Sequence, residues 1–409
     1  MGNETNITCD YTELTPEEDL FLKSYAWWIE IIGNLLVGII GFVLNFITLI
    51  VLSTKSMRNN FFNRLLMCLA IFDNLYLACE ISEVFRHRHY TFGQQHAFVN
   101  FVYPVRSVFM FSSIYMTIAL TLERYQAITN PVQYRIRGQT NMTKRLFYYV
   151  MPILTFAILY YTPKLLDLNV DEVTKCTEPN ATTVLKDNNR WFNSSRSSYF
   201  NCTTTFPLIP TKLRVDHHYV FWYINISNLL LTALIPVGVL MYLNCQIYSS
   251  LNQFMSRQPS STTNNTANGG GRRQQANDVK KTFILFSIVI IFVICHSIRV
   301  TLNIDEFINL TRFKEERQKG CQGVKFWAQV VVPLNQLLII LNSSGNFFIY
   351  VFFDQGFQQV LRQACIIRSE LLGHDRKNND VEKTRKTEHT RVNDTNNDIE
   401  LSNLKGQNV

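Results

Sequence analysis

Seven long apolar runs constrain this chain more than any other feature. They cover approximately residues 27–52, 61–85, 97–122, 146–163, 219–243, 282–303 and 326–353. A helix crosses a bilayer with roughly 20 mostly apolar residues, so each run is read as a span, the fourth being the shortest. Only 17% of the residues are charged, against about 25% in a soluble domain. The expected fold is an all-α membrane protein, a seven-transmembrane helix bundle.

Loop charges predict the orientation. Lys55, Arg58, Arg135, Arg137, Lys144, Arg145, Arg257, Arg272, Arg273, Lys280 and Lys281 fall in one set of loops, where Asp278 is the exception among few acids. In the opposite loops, Asp167, Asp171, Glu172 and Asp187 dilute Lys175, Lys186 and Arg190. The first set is therefore read as cytoplasmic, and the net charge of +8 as a topology signal rather than a nucleic-acid surface. Glycosylation sequons at Asn3, Asn6, Asn180, Asn193, Asn201 and Asn309 fall on the other side. The first helix is expected to act as an uncleaved signal anchor, placing the N-terminus outside and the protein in the plasma membrane. Cys9, Cys176, Cys202 and Cys321 lie in the oxidising segments and are the disulfide candidates. Four cysteines allow three pairings. Cys9–Cys321 together with Cys176–Cys202 is the favoured one.

The third run ends in Glu123-Arg124-Tyr125. A charged pair at a helix end is costly unless it is paired or meets water. Interfacial anchoring and a working switch both account for it. Asn45, Asp73, Ser113, Asn342, Ser343 and Asn346 would form a polar cluster midway through the bundle, because a carboxylate near mid-membrane must face the interior. A candidate sodium site with oxygen ligands and a hydrogen-bonded water network are the two readings of it. Pro236 frees a backbone carbonyl in the fifth helix. Beyond the seventh, Phe357, Val360 and Leu361 recur at helical spacing beside polar residues, predicting a short amphipathic eighth helix on the inner leaflet. Cys365 is its lipidation candidate. Residues 256–278 and 369–409 are low-complexity and polar. Ser369, Thr384, Thr387, Thr390, Thr395 and Ser402 make the tail either a phosphorylation platform or a plain solvated segment.

The order of these features resembles the rhodopsin-like family of G-protein-coupled receptors over nearly all of residues 26–367. Asn45, Leu69-Ala70 with Asp73, Glu123-Arg124-Tyr125, Pro236, and Asn346 with Tyr350 match family motifs. The resemblance implies that Glu123 holds Arg124 at rest and that Arg124, Tyr125, Asn346 and Tyr350 rearrange when a G protein couples. Phe347 replaces the usual Pro, and Cys295-His296-Ser297-Ile298 replaces Cys-Trp-x-Pro. The outer end of the third helix also lacks the usual Cys. These departures resemble invertebrate FMRFamide-type neuropeptide receptors, as do Thr162-Pro163-Lys164, Tyr223-Ile-Asn225 and Leu243-Asn244-Cys-Gln-Ile247-Tyr248.

The expected organisation is then an extracellular N-terminus (1–25) and a receptor domain (26–353), followed by helix 8 (354–367) and a disordered tail (368–409). The receptor domain holds a long second outer loop (163–218) and a third inner loop (249–281). The resemblance implies a neuropeptide ligand of the amidated, FMRFamide-like class and a heterotrimeric G protein as partner, with arrestin and receptor kinases acting on the tail. Ligand-binding candidates are Glu80, Glu83, Arg106, Arg299, Trp222 and Trp327. Glu80 or Glu83 would pair with a ligand Arg, or Glu83 and Arg106 would neutralise each other. The alternative is a chemosensory receptor for a small molecule, with a transporter a distant third. No Gly-rich phosphate loop, metal-spaced His/Cys group or nucleophile pair points to an enzyme, a metal or a further cofactor.

Overall fold

The computed structural model describes residues 15–86, 91–137, 141–177, 201–256, 286–305, 308, 326–364 and 366. Seven helices in it are long and apolar enough to cross a membrane: helix 1 Pro16–Ser53, helix 2 Phe61–Arg86, helix 3 Phe92–Thr129, helix 4 Met142–Leu166, helix 5 Tyr219–Ser250, helix 6 Phe286–Asp305 and helix 7 Phe326–Phe352. Lipid offers no partner for backbone N–H and C=O groups, so each apolar run satisfies its own as a helix. Phe46, Leu159, Tyr242 and Phe352 leave large apolar side chains exposed, as a bilayer-facing surface requires.

Helices 1 and 3 start ahead of the apolar runs. Thr15 caps helix 1 reciprocally with Glu18, Pro16 takes the first turn, and Glu17, Glu18 and Asp19 complement the helix dipole. Thr91 and Gln94 form the same reciprocal cap on helix 3. These polar caps extend each helix beyond what hydropathy alone marks. Helix 5 widens into π-type turns over Tyr219–Ser227 and Leu230–Leu234, immediately before Pro236. Proline has no N–H to offer the carbonyl of Thr232, and the wider turn relieves that loss.

Helix 3 is the hub and packs against helices 2, 4 and 5, while helix 1 packs against helices 2 and 7. Ile114, Leu240, Val289 and Phe292 join helices 3, 5 and 6 in one buried cluster. Helices 1 and 7 meet at Gly41, where any Cβ would overlap Ser344. That close approach lets Asn45, one turn on, donate to the Ser343 carbonyl at 2.8 Å.

Between helices 4 and 5 run two short antiparallel pairs, Leu168–Val170 with Leu208–Pro210 and Val173–Thr177 with Asn201–Thr205. The second pair sets the backbone of Cys176 opposite that of Cys202. Val170 packs on Phe98 and Val99 and so seats this loop over the outer end of helix 3. Residues 355–364, in a separate compact unit, are helical. Asn3, Asn6, Cys9, Asn180, Asn193, Asn309, Cys321, Cys365, most of the third inner loop and the tail lie outside the described residues.

Candidate functional site

Polar residues gather at three depths of the bundle. At mid-depth, Asp73 is fully buried on helix 2. Its carboxylate accepts from Ser113 of helix 3 at 2.5 Å and from Asn346 of helix 7 at 2.8 Å. With the Asn45 bond, this network ties helices 1, 2, 3 and 7 together. Asn342 is only half-buried, and it is its neighbour Ser343 whose carbonyl takes Asn45. The buried Asn45 Oδ1 has no protein hydrogen-bond partner. One carboxylate and nearby neutral oxygens are a donor set that suits a hard monovalent cation.

Toward the C-terminal end of helix 3, Glu123 is buried and both its oxygens are engaged from helix 4. Arg145 meets Oε1 at 2.5 Å and the Tyr149 hydroxyl donates to Oε2 at 3.0 Å. Tyr134, on the short helix Pro131–Arg137, is held beside Glu123, and burial reinforced by that carboxylate's charge pushes its phenol up to about 12. The Arg124 guanidinium lies over the Phe62 ring, 4.0 Å from its centroid, and Tyr125 beside it is half-buried. The resemblance led us to expect Glu123 on Arg124. The structure adds a tie from helix 3 to helix 4 that sequence spacing does not reveal. Tyr350 is buried on helix 7 and Pro236 on helix 5.

The opposite half of the bundle holds a cluster of charged side chains, here termed the chamber. Glu80 is buried and accepts from Gln336 of helix 7 at 2.5 Å, with Arg106 of helix 3 at 3.4 Å. Glu83 pairs within its own helix, with Arg86 at 2.6 Å. Arg86 also reaches Gln95 at 3.3 Å and lies over the Phe98 ring. Glu80 is the carboxylate at ion-pair distance from Arg106, while Glu83, whose nearer partner Arg86 stands one turn on, acts on Arg106 through its charge. Arg299 reaches from helix 6 to the Met110 sulfur at 3.2 Å. Trp222 is 61% exposed and meets the edge of Phe221 at 5.0 Å. This is the exposure of a surface-facing side chain, so Trp222 does not join the chamber. Trp327 sits 37% exposed near the start of helix 7.

Sequence reasoning missed Lys164, Asp167, Tyr161 and Gln336. Lys164 donates to Ser107 Oγ at 2.9 Å and faces the rings of Tyr103 and Tyr161, each at 5.1 Å. Asp167 is buried and accepts from Tyr219 at 2.6 Å and Tyr103 at 3.5 Å. Both residues stand at the end of an apolar run, where a charge ordinarily reads as an interfacial anchor. Tyr161 and Gln336 lie within runs and carry no sequence signal beyond their polar atoms. His296, where the resembled family carries Trp, is buried against Phe292 with neither ring nitrogen bonded to protein.

Residues 44–350 match the 7 transmembrane receptor (rhodopsin family). The FMRFamide receptor of Drosophila melanogaster is 26% identical over 82% of the chain, and the match covers 53% of that relative. An FMRFamide peptide receptor of Caenorhabditis elegans is 24% identical over 81% of the chain and 68% of its own length. The chain thus spans about half of the first relative and two thirds of the second.

Proposed function

The chain belongs to the rhodopsin family of seven-transmembrane receptors, and from that premise we propose that it binds an extracellular neuropeptide, of the amidated FMRFamide-like class, and activates a heterotrimeric G protein. The observation that carries the ligand class is the pair of relatives with FMRFamide in their names, each matched over four fifths of the chain. The chamber supports it. A site lined by Glu80, Arg106, Lys164, Asp167 and Arg299 offers many polar partners to a peptide and few to an apolar odorant.

The mechanism is a population shift: agonist favours a state whose inner face accepts the G protein. Helix 3 carries the coupling, since Arg106 and Lys164's partner Ser107 stand at its outer end and Glu123 and Arg124 at its inner end. A sodium ion held at Asp73, Ser113 and Asn45 would stabilise the resting arrangement. Helix 8 would lie on the inner leaflet, anchored by a lipid on Cys365. Receptor kinases and arrestin would act on the tail. Cys176–Cys202 would close the second outer loop, whose backbone register supports that pairing.

A library of amidated peptides, read by calcium or cAMP in cells expressing the full chain, tests the reading. Activation at nanomolar peptide is expected. Response to volatile organics alone would replace it with the chemosensory reading.

A further inference from the structure

Among the described residues, the outer chamber holds more positive than negative charge. Arg106, Ser107 and Met110 occupy neighbouring positions on helix 3, and each receives or supplies a cationic contact: Arg106 itself, Lys164 on Ser107 and Arg299 on Met110. Lys164 lies within electrostatic reach of both arginines, of Arg214 and, with the opposite sign, of Asp167. Against them stand Glu80, shared between Arg106 and Gln336, and Asp167, which accepts from the neutral phenols of Tyr219 and Tyr103. Glu83 and Arg86 neutralise each other.

The neutral groups around the cluster sharpen this imbalance. Lys164 has a hydroxyl and two ring faces for partners, and Arg299 a thioether sulfur, which is a weak acceptor. The Tyr161 hydroxyl, in a residue 2% exposed beside Lys164, has no hydrogen-bond partner in the protein. Cations that outnumber the carboxylates around them are costly in a low-dielectric interior and are relieved when an anion arrives with acceptor oxygens.

We propose that the chamber is a carboxylate-binding site, in which Arg106, Lys164 and Arg299 with the Tyr161 hydroxyl receive an anionic group of the ligand. The inference rests on the receptor reading above and deepens it. The amidated peptide carries an acidic side chain into the cluster, where guanidinium groups form charge-assisted bonds to it. A ligand arginine finds Glu80 and Glu83 already matched by Arg106 and Arg86.

The test uses the full-length receptor in detergent and in cells. Its first arm needs no known ligand. Thermal midpoints are compared in glutarate and in chloride at equal ionic strength, for the natural chain, Lys164→Gln and Arg299→Gln. Without a carboxylate both variants are expected to be as stable as the natural chain or more so, since each removes an unmatched cation. Glutarate is expected to raise the midpoint of the natural chain by a few degrees, and to lose that effect in the variants. Variants that melt earlier in chloride, together with a natural chain indifferent to glutarate, would overturn the proposal.

The second arm compares synthetic Asp-Phe-Met-Arg-Phe-amide with its Asn counterpart, and with Asn-Phe-Met-Arg-Phe as the free acid. A carboxylate-bearing peptide at least about tenfold more potent than the Asn amide, a difference of about 1.4 kcal/mol, supports the site. A free acid more potent than both amides would overturn the amidated-ligand reading and leave the anion site standing. Equal potency of all three counts against it. If no peptide in any library signals, the peptide reading fails, and the glutarate arm still decides the anion site.

Discussion

The mid-membrane cluster and the outer chamber are built from the same residue types, yet they balance differently. Around Asp73 each carboxylate oxygen meets a donor at 2.8 Å or less, one from helix 3 and one from helix 7. In the chamber, Lys164 and Arg299 settle for a hydroxyl, two ring faces and a sulfur. A satisfied buried network rigidifies and fixes helix positions, whereas an unbalanced one keeps a free-energy gain in reserve for what binds. On the proposed function, the inner cluster serves structure and coupling, and the chamber recognition.

The comparison is broken most severely at the contact that holds helices 1 and 7 together. Gly41→Val would drive a branched side chain into Ser344, including its backbone. It should cost about 3 kcal/mol, the upper range for overpacking, and appear as a loss of surface expression and of thermal midpoint. Unchanged expression would mean that the Asn45–Ser343 bond does not depend on this approach. Next in size is Glu80→Leu, which leaves Arg106 without its carboxylate. Breaking a buried pair by removing one partner costs about 3 kcal/mol, so this variant should be destabilised while Lys164→Gln is not. Equal losses in both would erase the difference between matched and unmatched cations.

A double-mutant cycle on Glu123 and Arg145 sharpens the inner half. The pair is almost fully buried at 2.5 Å, and its coupling energy is expected to be about 1–2 kcal/mol. Glu123→Gln should also raise basal G-protein signalling, because the helix 3 to helix 4 tie weakens. Additive single effects would show the contact to be energetically idle. His296→Phe is a smaller change. It replaces an imidazole that lacks hydrogen-bond partners in the protein and lies tilted against Phe292 at 4.2 Å, and should raise stability by about 1 kcal/mol. A loss of similar size would show that the imidazole nitrogens are satisfied.

The smallest effect is a pH dependence beyond the C-terminal end of helix 3. Burial beside Glu123 holds the Tyr134 phenol up at about 12, above its ordinary value of 10.0. A raised pKa means that the folded state favours the protonated phenol. Its contribution is fully present below about pH 10 and is lost as pH rises through about 12. Absorbance of the phenolate, compared with Tyr134→Phe, should show this tyrosine ionising after the exposed ones.

The spans and the mid-membrane cluster were legible because lipid forces the issue. Twenty apolar residues must be a helix, and Asn45, Asp73, Ser113 and Asn346 must turn inward. Asn342 failed as a member because helical phase is sharp: one residue on, the Ser343 carbonyl stands in its place. The Glu83–Arg86 pair was readable from its i,i+3 spacing. Glu80–Arg106 and Glu123–Arg145 were not, since 26 and 22 residues of chain separate partners that only packing brings together. Lys164 and Asp167 were hidden by position, because at the mouth of a membrane bundle a charge is ordinarily an anchor.

The central claim is that peptide recognition in the outer chamber is relayed along helix 3 to a G protein at Arg124. The most direct test is to take a peptide that activates the full chain and measure its binding and its calcium or cAMP response side by side in Arg124→Ala. The account predicts retained surface binding with the response abolished. A peptide response that survives in Arg124→Ala would contradict it.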